Sequence, residues 1–516
     1  MHNFNQKYKS IIEKPIDISP LLKDEMYLIS GDFYGIQKFI FERLSTQKAS
    51  KVLRAKSAFV QIFTEYLARY ICDILKISEK SILSTNAGKF EILSPKQEID
   101  LEEIQRKIDD YFIKNFYGLS GVILSSVACT REDLSQQKYK ALRKKIEESL
   151  EAKRFRKFNL FEENAPDVLQ YRTDINNNTL CKVCNIRKIE KDESCLICNN
   201  FRKLGEKLAY KNDENVSSDK LGIHFDDNFN PEICLDKRLK SYILYEEKDG
   251  RMSPADFDTL AQYSCDKSET GLKALAILKA DVDNMGKFLE KSDVGVTDSF
   301  ESFDSFSRSM DGFFSIHIPQ MMRDKHPHTY TVFGGGDDLF LLGAWDEILA
   351  LARAIEREFE AFVQSDDLTI SFGIAIAKPT TPISYLAEHT EKLLEEAKEI
   401  DGDKEVAHPK DAISLFGETV KWEEYRVVFD RLNKLFQGFE VVNSATLYRL
   451  LTFCDMSKNI SKDIKNTMWK SKLNYLFSRN IDEKYHYILK ELNESIEKCP
   501  KATKMFLSEF IYKRRD

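Results

Sequence analysis

What this sequence lacks narrows it first. Its 516 residues hold no run of ~18 or more apolar residues, so no transmembrane helix is expected. The start, Met1-His2-Asn3-Phe4-Asn5-Gln6-Lys7, has no signal-peptide h-region, and the cytoplasm is the expected location. Neither sign of charge dominates: 77 Lys and Arg stand against 84 Asp and Glu, a net of −7. That excludes a surface that coats nucleic acid everywhere, though not local basic strips. Six of the ten cysteines (Cys72, Cys129, Cys234, Cys265, Cys454, Cys499) show no ligand spacing and read as buried or incidental thiols. Hydrophobic content of 42% is ample for packed cores, and the length predicts about three or four domains.

The other four cysteines do have spacing. Cys181-Lys182-Val183-Cys184 and Cys195-Leu196-Ile197-Cys198 are separated by ten residues, the pattern of paired knuckles that form a tetrahedral thiolate site for Zn²⁺. Four ligands leave no open position, so the predicted role is structural. A redox dithiol is the alternative. Asn176, Asn177, Asn178, Arg187 and Lys188 nearby fit an exposed, zinc-stabilised loop.

The most informative stretch is Phe333-Gly334-Gly335-Gly336-Asp337-Asp338-Leu339-Phe340. Tyr330-Thr331-Val332 before it and Leu339 to Leu342 after it predict a β-hairpin whose turn presents two carboxylates. Such a turn alone is often only a turn. Here a second pair lies upstream, where the apolar run Leu275 to Ala280 predicts a buried strand that delivers Asp281 and Asp283 to one face. Mg²⁺ prefers a few carboxylates plus substrate phosphates, and glycines let a phosphate approach the backbone. A helix over Phe300 to Met322 separates the two pairs. Helices over Trp345 to Val363 and Ile383 to Ile400, with a strand over Leu368 to Ala377 between them, follow. Strand, helix and acid-tipped hairpin make the core of a palm-type nucleotidyl transferase or cyclase.

The strand Thr369-Ile370-Ser371-Phe372-Gly373-Ile374-Ala375 and the helix carrying Ala397-Lys398 resemble the diguanylate cyclase (GGDEF) domain. That resemblance implies that Lys398 contacts nucleotide phosphates. Leu339 in place of phenylalanine departs from the pattern and points to a narrower family. Ala280-Asp281-Val282-Asp283-Asn284-Met285-Gly286, Gly335 to Phe340, Gly343 to Glu347 and Lys410-Asp411-Ala412-Ile413-Ser414-Leu415-Phe416-Gly417 together resemble the large palm-containing subunit of type III CRISPR effector complexes, of the type III-A (Csm) kind. The resemblance implies a G-G-D-D palm that makes cyclic oligoadenylate from ATP when the complex, built with other Csm-type subunits and CRISPR RNA, holds a matching target RNA.

An internal repeat supports this independently. Ile29 to Ile40 aligns without gaps on Leu278 to Leu289, placing Asp32 on Asp281 and Tyr34 on Asp283. A helix over Ala55 to Ile74 follows, and Asn86-Ala87-Gly88-Lys89-Phe90 takes the place of the acidic hairpin, with Lys89-Phe90 standing where the acids would be. We read a first, degenerate palm that pairs with the second and holds no pair of metals.

The expected architecture is α+β. It comprises a first palm over 1–135, a linker domain with the zinc knuckles over 136–266, a second palm over 267–418 and a C-terminal helical bundle over 419–516. By resemblance, the bundle docks on a small helical subunit. Lys38, Arg43, Lys48, Lys51 and Arg54, interleaved with Phe39, Phe41 and Ser45, suit single-stranded RNA contact. Lys138 to Lys157, including Arg156 and Lys157, reads equally as an RNA face or a solvated helix. None of the eight histidines is followed by Asp, so the His-Asp nuclease domain of many relatives is expected to be missing, with no DNA cleavage from this chain.

The expected chemistry is metal-dependent nucleotidyl transfer. Asp281, Asp337 and Asp338 would bind Mg²⁺ or Mn²⁺, with Asp283 a further ligand, so that a ribose 3′-hydroxyl attacks the α-phosphate of a second ATP. Gly335 and Gly336 would admit the triphosphate, and Lys398 and Lys410 would neutralise it. Ser307, in a Phe306-Ser307-Arg308 stretch resembling the family's helix, is a candidate nucleotide contact. Two other readings stand beside this one: a catalytically silent scaffold, and a free-standing cyclic dinucleotide synthase.

Overall fold

The computed structural model describes residues 8, 14–41, 44, 49–86, 88–135, 138–155, 180–191, 193–209, 215–223, 225–226, 228–234, 241–248, 250–265, 270–291, 295–402, 410–437 and 442–515. Arg43, Ser45, Lys48, Arg156, Lys157 and Asn176 to Asn178 lie outside them.

The first apolar run forms β1 (Met26–Tyr34), followed by α1 (Ile36–Phe41) and the long α2 (Ala49–Ile74). Then come the hairpin β2 (Ile82–Asn86) and β3 (Lys89–Pro95), α3 (Leu101–Phe116), β4 (Gly121–Cys129) and α4 (Tyr139–Arg154). Asp100 caps α3, accepting from the Glu103 amide at 2.9 Å, a contact worth about 1 kcal/mol. The sheet is antiparallel, in the order β2-β3-β1-β4.

The cysteine segment leads into α5 (Leu196–Ala209), β5 (Asn215–Ser217), α6 (Ser218–Leu221), β6 (Glu232–Cys234), β7 (Tyr245–Lys248), β8 (Arg251–Pro254) and α7 (Phe257–Gln262). Helix α5 crosses α2 so closely that a Cβ on Gly205 would sit 2.1 Å from the Lys51 carbonyl oxygen. Arg54 Nη1 donates to the Gly205 carbonyl there, at 2.8 Å.

The second palm repeats the first with additions. It runs β9 (Leu275–Val282), α8 (Met285–Glu290), α9 (Phe300–Gly312), a π-helical turn (Phe313–His317), α10 (Ile318–Lys325), β10 (Thr329–Gly335) and β11 (Asp338–Ala344). After these come α11 (Trp345–Val363), β12 (Ile370–Ala377), α12 (Ile383–Lys398), β13 (Ala412–Leu415) and β14 (Glu418–Lys421). Its strand order, β10-β11-β9-β12-β13-β14, contains the first sheet's order and extends it at one edge. Alternation along β9 sorts its side chains between two cores. Ala276, Leu278, Ala280 and Val282 join the core beneath α9 and α11, and Leu275 and Ile277 face the other way. That second side merges with the first palm: Ile277, Phe340 and Leu342 share a core with Ile29, Phe33, Phe90 and Ile92. The rings of Phe41 and Phe340 lie 4.3 Å apart across the junction.

The tail is the bundle α13 (Trp422–Phe436), α14 (Ser444–Lys458), α15 (Trp469–Asn480), α16 (Tyr487–Lys498) and α17 (Pro500–Lys513). It is continuous with the second palm's core and is pinned by a buried pair. Arg353 on α11 meets Glu509 on α17 at 2.9 and 3.2 Å, with Tyr425 also accepting from Arg353 at 3.0 Å. Removing one partner of such a pair costs about 3–5 kcal/mol.

Two expected boundaries shift. The tail, expected to be helical from 419, is not: residues 418–421 form β14, whose backbone pairs with β13 and extends the sheet by one strand. Helix α4, placed with the linker in the sequence, belongs to the first palm. Its Tyr139, Leu142, Ile146 and Leu150 pack with Leu28, Leu83, Leu93 and Ile123 on the outer face of the first sheet. Among the described residues, no helix is long and apolar enough to cross a membrane.

Candidate active site

The predicted hairpin forms, and it is tight. Gly335 pairs with Asp338, leaving Gly336-Asp337 as the two turn residues. Gly336 has φ +67°, the left-handed first position that a type II′ hairpin turn reserves for glycine. The Asp337 carbonyl accepts from the Val282 amide at 3.1 Å, which fastens the turn to the end of β9. Register then fixes the acids. Asp338 and Ser371 both pair with Asp281, from opposite sides, so the three stand in one row on one face. Asp337 is exposed at the tip.

Helix α12 lies over that face. A Cβ on Gly373 would meet the Leu394 amide nitrogen at 2.4 Å, so glycine is what lets α12 approach β12. The helix brings Lys398 onto Asp281 and Glu391 onto the buried Lys279. Burial pushes the Asp338 carboxyl up to about 6; Lys279 opposes the shift, and Asp337 and Glu391 add to it. Burial, then the charges of Lys410 and Lys279, push the Lys398 ammonium down to about 8, while its contact with Asp281 favours the charged form.

Asp283 shares this side but is committed elsewhere. It is fully buried, and its Oδ2 accepts from Thr369 Oγ1 at 2.9 Å, Ser371 Oγ at 2.8 Å and the Asp411 amide at 3.2 Å. Burial raises its pKa, and these bonds oppose the rise.

Between the palms runs a cleft of about 1100 Å³. From the second palm, Gly335, Gly336, Asp337, Asp338 and Ser307 line it; from the first, Asp32, Lys38, Lys89, Arg143 and Arg154 do. Asp281, Lys398 and Lys410 stand behind the acidic hairpin rather than on the cleft wall.

The first palm reproduces the frame. Asp32 pairs with Lys89 as Asp281 pairs with Asp338. The Gly88 carbonyl accepts from the Phe33 amide at 2.9 Å, the counterpart of the Asp337–Val282 bond. The sequence comparison put Lys89-Phe90 in place of both acids; the register puts Gly88-Lys89 there, with Phe90 buried in the core. Arg154, the last residue of α4, pairs with Asp32 as Lys398, the last residue of α12, pairs with Asp281. Sequence reasoning counted Arg143 and Arg154 only among the charges of the Lys138 to Lys157 stretch, and it missed Lys279. For Arg154 the available signal was its place at the end of the helix that follows the fourth palm strand, the place that Lys398 holds in the second palm.

The sulfurs of Cys181, Cys184, Cys195 and Cys198 all lie within 4.8 Å of one another, and all four residues are buried. Zn–S bonds of ~2.3 Å in a tetrahedron require such a cluster, so the donor set fits a closed zinc site. Arg187, between the knuckles, donates to the Asn115 carbonyl at 2.6 Å and docks the site on α3. Among the described residues no other His, Cys, Asp or Glu group closes this tightly. The palm carboxylates instead offer an open set of hard oxygens, with the half-buried Asp338 held up first by burial and then by the charges of Asp337 and Glu391. That suits a cation which shares its shell with substrate phosphates.

Comparison with known proteins places these features. Residues 274–407 match the family described as Cas10/Cmr2, second palm domain, and residues 25–174 match Csm1 subunit domain B. A relative from Enterococcus italicus, named CRISPR system single-strand-specific deoxyribonuclease Cas10/Csm1 (subtype III-A), is 28% identical over 417 residues, covering 73% of this chain and 53% of the relative. One of the same name from Methanocaldococcus jannaschii is 23% identical, covering 85% of this chain and 65% of the relative. The chain thus spans between half and two thirds of the length of these relatives. Among solved structures, the Csm1–Csm4 cassette in complex with AMPPNP superposes with a TM-score of 0.69 at 18% identity, covering 96% of this chain and 70% of the other. That likeness establishes the fold.

Proposed function

The chain belongs to the Cas10/Csm1 family, and from that premise we propose that it is the large subunit of a type III-A effector complex that joins ATP into cyclic oligoadenylate on target RNA binding. The observation that carries this reading is the row Asp338–Asp281 with Asp337 at its tip, whose Asp337 and Asp338 line a cleft that two palms share. A volume of about 1100 Å³ exceeds the ~300–1,000 Å³ of ordinary small-molecule sites, which suits two nucleotides better than one. Solved relatives are described in complex with AMPPNP and with cA4, which agrees with a site for ATP and its cyclic product.

Asp281, Asp337 and Asp338 would hold Mg²⁺ or Mn²⁺, which when bound supplies charge stabilisation at a phosphate and lowers the pKa of an attacking hydroxyl. The chain's own residues do the rest. The Gly335-Gly336 backbone gives the triphosphate close approach, and Lys398, released from Asp281, meets its charge. Ser307 contacts a nucleotide from the cleft wall, and Lys89 and Arg154 present cations to the second one. Asp283 braces β9 against β12 instead of ligating. The four cysteines hold structural Zn²⁺.

Relatives are named deoxyribonucleases; our proposal assigns this chain no DNA cleavage, and digestion of single-stranded DNA by the purified chain would overturn that part. For the main reading, the assembled complex is incubated with ATP, Mg²⁺ and matching target RNA, and products are resolved by mass spectrometry. Cyclic oligoadenylate from wild type and none from Asp337→Ala/Asp338→Ala is the expected result. No product from an assembled, RNA-bound complex would leave a scaffold; cyclic dinucleotide made without RNA would favour the free-standing synthase.

A further inference from the structure

Lys410 and Asp411 are the only consecutive non-glycine residues with positive φ among the described residues, at +66° and +43°. One such residue is uncommon, and two in succession are costly unless their surroundings over-determine them. Here they do, because all four backbone polar groups of the dipeptide have a named partner. The Lys410 amide donates to Asp401 Oδ2 at 2.7 Å, and the Lys410 carbonyl accepts from Lys421 Nζ at 2.6 Å. The Asp411 amide donates to Asp283 Oδ2 at 3.2 Å, and the Asp411 carbonyl accepts from the Trp422 amide at 2.9 Å. Lys421 Nζ also donates to Asp401 Oδ2 at 2.6 Å, which closes the two clamps on Lys410 into one unit.

This anchoring leaves the Lys410 side chain as the part of the dipeptide not tied down: no carboxylate among the described residues lies within 4 Å of its ammonium, while its charge is felt at both Asp283 and Lys398. We propose that Lys421 is a positioning residue that holds Lys410 in a strained backbone state so that its ammonium meets a nucleotide phosphate beside Lys398. Lys421 ends β14, and Trp422, buried against Phe372, opens α13. The clamp therefore ties this phosphate contact to the seating of the helical bundle. The inference rests on the nucleotide site proposed above, though not on cyclisation.

The test measures binding of AMPPNP and of adenosine to the full chain carrying Lys421→Met, Lys410→Met, both, Lys421→Arg or Asp401→Ala. Lys421→Met and Lys410→Met should each weaken AMPPNP about tenfold, as the loss of one charged phosphate contact does, and leave adenosine unchanged. The double variant should bind no more weakly than Lys410→Met, because one residue acts through the other. Lys421→Arg should restore binding, and Asp401→Ala, which opens the clamp from its other side, should copy Lys421→Met even if the latter folds poorly. Additive losses, equal losses for adenosine and AMPPNP, or no loss at all would each overturn the proposal, as would a wild-type chain that binds no AMPPNP. Binding without oligoadenylate synthesis would sink the cyclase reading and leave this one standing.

Discussion

The two palms share one strand order and equivalent backbone tethers, yet they carry opposite charge on that common frame. In the second, Asp281 pairs with Asp338 in register, Asp337 stands at the hairpin tip, and the cation that contacts Asp281 is Lys398. In the first, Asp32 remains, Gly88 and Lys89 replace the other acids, and the contacting cation is Arg154. The choice of cation has consequences. A lysine ammonium is already pushed down to about 8 here and can be drawn to another anion, whereas a guanidinium stays charged and pairs with a carboxylate in fixed geometry. The first palm thus carries its positive charge permanently within the chain, and the second fills that place with a lysine that a competing anion can draw away.

Removing the acids from one palm only should have the largest effect. Asp337→Ala/Asp338→Ala should cut oligoadenylate synthesis by at least about a hundredfold, ~2.7 kcal/mol of transition-state stabilisation, while Asp32→Ala should cost less than about tenfold. Equal losses in a rate assay would show the two palms to be chemically equivalent. Next comes zinc. Stripping it with a chelator should release Cys181, Cys184, Cys195 and Cys198, loosen the Arg187 and Gly205 contacts with the first palm and lower that palm's melting transition by several degrees. Hydrogen exchange should report faster opening of α2 and α3 than of α11 and α12.

A charge change in the first hairpin should have a smaller effect. Lys89→Asp makes the first hairpin resemble the second in one position and should raise the KM for ATP about tenfold with little change in kcat, since it removes a cation from the cleft without touching Asp337 or Asp338. The smallest effect is on stability. The Asp338 carboxyl is held up to about 6 by burial, above its ordinary value near 3.8. The folded state therefore binds more protons than the unfolded one, and stability falls as pH rises through the window from about 4 to 6. Without metal, Asp338→Asn should raise the melting temperature by about 1–3 °C at pH 7.5, and the gain should vanish near pH 4.

Much of this was legible because it is local. The apolar run of Leu275 to Ala280, the three glycines before Asp337 and the helix of Trp345 to Val363 are written in short windows, and the gapless repeat located Asp32. What escaped depends on contacts between distant residues. Helix α4 carries charge on most of its surface and reads as a solvated helix, so its place on the first sheet, and Arg154 with it, became visible only in three dimensions. Phe90 was misassigned for a similar reason: adjacent residues alternate faces, and register alone decides which of them opposes Asp32. Residues 418–421 are too short a run to be told from a helix start, and become a strand because β13 offers them an edge.

The junction of the two palms bears on how the protein comes into being. The hairpin of the second palm seats Phe340, two residues past Asp338, against Phe41 of the first. During synthesis the partner of Phe41 emerges roughly 300 residues later, a wait of about 15–60 s at ~5–20 residues per second. For that interval the nascent first palm presents Phe41 to the ribosome exit without the ring that finally covers it.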